Sequence, residues 1–202
     1  MENVQNNWST VTKSIYKAVL LYVWAGIAAA IFPIFAKLGS AADLASGDLA
    51  GAVTWGIWDI LGLVAALAII AGYVLFYIGL NKWRGVADAA DTQAINRLRI
   101  AALLTMIAVV VVYIPGIGWI AAPILELVAV ILMLLGYSAL KQSTTVPEGA
   151  AKGASKLYTA QILSIIAVVI GWIPVIGWVV APILELIAFF KVLGGWKAIA
   201  NS

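Results

Sequence analysis

The sequence has no cysteine and no histidine. Their absence removes disulfides, thiolate nucleophiles, imidazole bases and the usual zinc sites. Charge is scarce too: charged residues make up 10% of the 202, against 64% hydrophobic. A water-soluble domain of this length is about half apolar and about a quarter charged. So little polar surface cannot cover a globule in water, and lipid is the expected outer solvent. The net charge is only +3 and the basic residues fall in short loops, which argues against a nucleic-acid partner. With no soluble domain and no nucleophile–base pair, neither an enzyme nor a cofactor is expected.

What the chain does have is long apolar runs. They cover Lys17–Ala36, Val53–Leu80, Leu98–Ile114, Trp119–Leu140, Leu157–Ile173 and Trp178–Ile199. A hydrocarbon core of about 30 Å needs about 20 helical residues, so these six runs read as transmembrane helices. They are continuously apolar and rich in Ala and Leu. Strands of a membrane barrel would alternate. Residues 1–16 are polar and read as an N-terminal tail ahead of a retained signal anchor. Residues 17–202 read as one transmembrane domain.

The chain also repeats. Tyr113–Leu140 aligns with Trp172–Ile199 at an offset of 59, with 15 of 28 positions identical, including two prolines, one tryptophan and one glutamate in each copy. A fainter copy precedes them: Ile60–Ala65 aligns with Ile124–Ala129, and Gly72-Tyr73 falls on Gly136-Tyr137. Pro33 falls on Pro115, leaving 18 extra residues in the first unit, among them Gly39–Asp43 and Ser46–Asp48. The expected fold is all-α: a polytopic bundle of six transmembrane helices built from three tandem hairpins, at 17–80, 97–140 and 157–199. Each hairpin crosses twice, so the repeats are parallel and both termini share one side.

Ten basic residues, Lys13, Lys17, Lys82, Arg84, Arg97, Arg99, Lys141, Lys152, Lys156 and Lys197, lie on the terminus side, against Lys37 alone near the turns. The positive-inside rule then puts both termini in the cytoplasm; the expected setting is the inner membrane of a prokaryotic cell. Trp55, Trp58, Trp119, Trp172 and Trp178 would form an outer aromatic belt, with Trp83 and Trp196 marking the inner interface. Pro115 and Pro174 end helices, Gly118 and Gly177 permit the reversal, and Pro123 and Pro182 fit a first helical turn. Residues 84–96 read as a short surface helix, and Thr145 with Pro147-Glu148 as a helix start.

Four charged residues fall within or beside the apolar runs: Asp59, Glu126, Glu185 and Lys191. Glu126 and Glu185 are equivalent in the repeat; Asp59 aligns with Pro123 instead. One reading makes the acids a ring at the outer mouth of a path for cations or protons. The other makes each a first-turn carboxylate meeting the helix dipole, a contribution of about 0.3–1 kcal/mol. Lys191 replaces Leu132 of the preceding unit and either snorkels to the cytoplasmic interface or pairs with a carboxylate. Tyr73, Tyr77, Thr105, Tyr137, Ser138, Thr159, Gln161 and Ser164 could line a polar path or bond neighbouring helices.

The leading functional expectation is a non-enzymatic scaffold, accessory or assembly subunit of a membrane complex. The alternative is a small channel or transporter with an acidic outer mouth. The implied partners are the lipid bilayer and other membrane subunits or copies of the chain. Acids facing a shared interior favour transport; acids facing headgroups favour a scaffold.

Overall fold

In a computed structural model, residues 2–47, 56–171, 173 and 176–202 are described, and six helices account for nearly all of them. They are α1 (Glu2–Ser46), α2 (Ile57–Val86), α3 (Ala89–Val111), α4 (Gly118–Gln142), α5 (Glu148–Gly171) and α6 (Ile176–Ala200). Each contains a stretch long and apolar enough to cross a membrane. Their outward faces carry large exposed side chains, among them Trp24, Leu67, Ile120, Val169 and Phe190. Apolar surface on that scale suggests an integral membrane protein of six crossings.

Every helix packs against its neighbours in the chain, and α1 closes the ring by packing against α6. Glycines let these helices approach. A Cβ placed on Gly72 of α2 would lie 2.7 Å from Tyr22 Cβ of α1, and one on Gly79 would lie 2.6 Å from Ile15 Cγ1. The higher-numbered residue of α2 meets the lower-numbered residue of α1, so the two run antiparallel. On Gly136 of α4 a Cβ would lie 2.7 Å from Leu98 Cδ2 of α3. On Gly195 of α6 it would lie 2.7 Å from Leu157 Cγ of α5. In lipid, close backbone approach and van der Waals contact replace the hydrophobic drive between helices.

The ends differ from expectation in three places. First, residues 2–16, read as a tail, are helical and continue into the first span. Trp8 packs edge-on against Trp83 of α2, and Thr12 and Ile15 are fully buried. Second, α1 continues past Ala36 to Ser46, followed by Gly47 at φ 83°. Part of the insertion in the first unit therefore lengthens a helix rather than a loop. Third, residues 89–96 are the first turns of α3 rather than a separate surface helix. The start of α5 matches its motif, with the Pro147 carbonyl accepting from Ala150 and Ala151 at 2.9 and 3.0 Å.

The prolines also move. α4 starts at Gly118 and α6 at Ile176, so Pro123 and Pro182 lie inside helices instead of in a first turn. The turn before α4 takes its positive φ, 81°, at Gly116. Gly118 and Gly177 serve close approach instead, since a Cβ there would strike the carbonyl oxygens of Val111 and Ile170 respectively. The two turns share their bonds. Gly118 N donates to Ile114 O at 2.9 Å, and Gly177 N to Ile173 O at 2.8 Å. Trp55, Trp172 and Pro174, and the side chains of Trp178, Lys37 and Pro33, lie outside the described residues.

Candidate functional site

The bundle is closed at the end bearing the termini. Trp83 and Trp196, expected at the inner interface, are 1% and 0% exposed. Trp196 meets Trp83 at 5.8 Å, Phe76 at 5.4 Å and Tyr137 at 6.3 Å, edge-on in each case. Edge-to-face rings at these spacings are favourable, and large rings fill the space between six helices. Above this layer Tyr22 of α1 stacks on Tyr73 of α2 at 4.5 Å and 16°. Around its rim Arg99 donates to Tyr77 Oη at 2.9 Å, Lys141 Nζ sits 3.8 Å over the Tyr158 ring, and Thr145 Oγ1 donates to Asp91 Oδ2 at 2.5 Å.

Towards the end bearing the turns the helices part around a cavity of about 440 Å³. All six helices reach it: Tyr22, Tyr73, Thr105, Glu126, Gln161 and Glu185 come one from each, in chain order. Along α4 the lining runs from Pro123 to Met133, a depth of about 15 Å at about 1.5 Å per residue. Most of the remaining wall is apolar, as with Leu127, Val130, Val168 and Phe189, and among the described residues no lysine or arginine lines it. Val168 and Val169, towards the turn end of α5, border it and are more than half exposed.

Glu126, which is exposed, and Glu185, which is half-buried, thus line one cavity. Neither is in a first helical turn, because α4 and α6 begin eight and nine residues before them. The helix-dipole effect fades within the first turn, so it does not explain these carboxylates. The Ser164 hydroxyl lies 3.4 Å from Glu185 Oε2. Gln161 is only 8% exposed, borders the cavity, and makes no hydrogen bond with its amide among the described residues.

The other two candidates stand apart. Asp59 Oδ2 accepts from Gly56 N at 2.9 Å, an N-terminal cap on α2, and does not line the cavity. Lys191 is half-buried, makes no ion pair among the described residues, and does not line it either. Among the polar-path candidates, Tyr73, Thr105, Gln161 and Ser164 reach the cavity. Tyr77 instead pairs with Arg99, and Thr159 bonds its own helix at Ser155 O. Sequence reasoning missed Tyr22 and Phe189. The signal for Tyr22 was its place seven residues after Ile15 on one face of α1.

Among the described residues no group of three or more acids could hold a metal ion. No family model matches the chain, and no curated protein or solved structure is similar to it.

Proposed function

We propose that this is a non-enzymatic membrane protein that moves a cation through the cavity enclosed by its six helices. The observation that carries this reading is the meeting of Glu126 and Glu185 on one interior to which every helix contributes. Carboxylates that line a cavity between helices, with no basic partner among the described residues, attract cations, and intramembrane acids of this kind mark ion and substrate paths. A scaffold needs no such interior, and its acids would face headgroups.

The architecture we propose for it is three tandem hairpins, α1–α2, α3–α4 and α5–α6, entering from the same side. Two observations support the repeat. Gly72, Gly136 and Gly195 hold the same sequence position and each abuts the preceding helix. The next residue in each copy, Tyr73, Tyr137 or Trp196, is aromatic and turns inward to the same ring cluster. The ten terminus-side basic residues argue for cytoplasmic termini in a prokaryotic inner membrane. The cavity then opens outward and the aromatic layer seals the inner side.

The test is cation flux in proteoliposomes. The wild type should dissipate an imposed cation or proton gradient, and the Glu126→Gln, Glu185→Gln double variant should fall to the rate of protein-free vesicles. Wild-type protein that moves no cation under any gradient sinks the transport reading and returns the scaffold to first place.

A further inference from the structure

We infer that the ligand of this cavity is an amphipathic organic cation, an amine or quaternary ammonium carrying an apolar body. This deepens the transport reading: passage of the ligand through the bundle rests on that reading, whereas its binding stands on the cavity alone. Four features converge on that chemistry.

Size comes first. At about 440 Å³ the cavity falls in the range of small-molecule sites. It has room for about 15 waters at about 30 Å³ each, far more than a bare ion fills. Charge comes second. Glu126 and Glu185 bring negative charge and among the described residues no lysine or arginine on the wall answers it, so an anion is disfavoured and a cation is the complementary partner.

The third feature is the wall. Val130, Leu127, Met133 and Phe189 offer an apolar face that cannot replace the water shell of sodium or potassium. A hard divalent ion requires six or more oxygens, and no group of three acids exists among the described residues. The same wall suits hydrocarbon, and the stacked pair of Tyr22 and Tyr73 borders it as well, aromatic side chains of the type that attract soft cations. The last feature is Gln161. The residue is more than nine-tenths buried and borders the cavity, and its amide has no protein partner among the described residues. An amide that opens on a cavity takes its bonds from what fills it, water or ligand. An N–H or hydroxyl on the ligand would supply them, at a point about one turn from Ser164 and Glu185 along the bundle.

The experiment is isothermal titration calorimetry on the full chain in detergent. The probe is benzyltrimethylammonium. Its controls are the anion of the same shape, phenylmethanesulfonate, and sodium or potassium chloride in large excess. The cation should bind and the anion should not. Alkali salt should weaken binding only by screening. The Glu126→Gln, Glu185→Gln double variant should lose about tenfold or more in affinity. Gln161→Leu should lower the affinity for a primary amine, benzylamine, more than that for benzyltrimethylammonium, which has no N–H to donate. Equal binding of cation and anion, full displacement by alkali ions, or undiminished binding by both the double variant and Gln161→Leu would overturn the inference. The two proposals fail separately. Flux of protons or potassium without binding of the organic cation removes the inference and leaves transport. Binding without flux does the reverse.

Discussion

The two halves of the bundle are built from the same residue types and solve opposite problems. At the terminus end Ile15, Phe76, Trp83, Tyr137, Trp196 and Ile199 are almost wholly buried, and rings fill the axis. At the turn end the same apolar composition faces outward, and the axis is left to a cavity with two carboxylates. Part of the difference lies in which glycines join helices along their length, since Gly118 and Gly177 at the turn end make their close approach only to the end of the preceding helix. Gly72, Gly79, Gly136 and Gly195 draw the helices together near the rings. Gly62, on the turn side of these, has open space around it. Close approach at one end and parting at the other give a bundle that is packed below and hollow above. Apolar content by itself does not make a core in lipid; contact does.

That contrast can be broken most forcefully at Trp196. Truncating it to Ala removes a fully buried ring that three other rings touch. We expect a loss of about 3–5 kcal/mol, seen as a large fall in melting temperature of detergent-solubilised protein. Trp119→Ala, at a residue 73% exposed, should cost little by comparison. If both lose equally, the two ends are not distinct.

A smaller effect separates the glycines. Gly72→Ala forces a Cβ to within 2.8 Å of the Tyr22 backbone nitrogen and should cost about 1–3 kcal/mol. In a chain of this size that is a fall of roughly 2–12 °C in melting temperature. Gly62→Ala meets nothing within 4 Å and should be neutral or stabilising by up to about 1 kcal/mol, since Ala favours helix. A matching loss at Gly62 would mean that the turn end is closed by contacts of its own.

The smallest expected effect is at Lys191. It is half-buried and unpaired among the described residues, as a side chain that reaches for the interface would be. Lys191→Leu should therefore leave the melting temperature unchanged or raise it slightly. A fall of about ten degrees, against about 2–4 degrees per kcal/mol, would mean that the ammonium answers a carboxylate and that the lower half holds a second charge site.

Much of this was legible in the sequence. Six apolar runs mark the helices, and Pro147-Glu148 marks the start of α5. Glu126 and Glu185 stand out as charges in apolar surroundings. What could not be read was direction. In lipid both the core and the outer face of a helix are apolar, so hydrophobic periodicity does not say which residues turn inward. Trp83 and Trp196 were therefore assigned to an interface by type, although they are the centre of the core. The glycine preceding Trp196 carried the missing information, because a glycine against a neighbouring backbone fixes which side of the helix faces in. Helix ends were misjudged for another reason. Pro123 and Pro182 fit a first turn locally, but a proline's missing amide is also tolerated deeper in a membrane helix. With α4 starting at Gly118, Glu126 becomes an interior charge rather than an end-of-helix one.

The indole series at the closed end has a practical corollary. Trp8, Trp83 and Trp196 succeed one another at 5.5 and 5.8 Å, edge-on, while Trp24 and Trp119 stand exposed on the outer surface. Near-ultraviolet circular dichroism arises from aromatic rings in fixed asymmetric surroundings. The spectrum of this chain consequently carries a contribution from its closed end beside those of the stacked Trp58–Phe35 and Tyr22–Tyr73 pairs: the part that Trp196→Ala removes with helicity retained belongs to the ring layer.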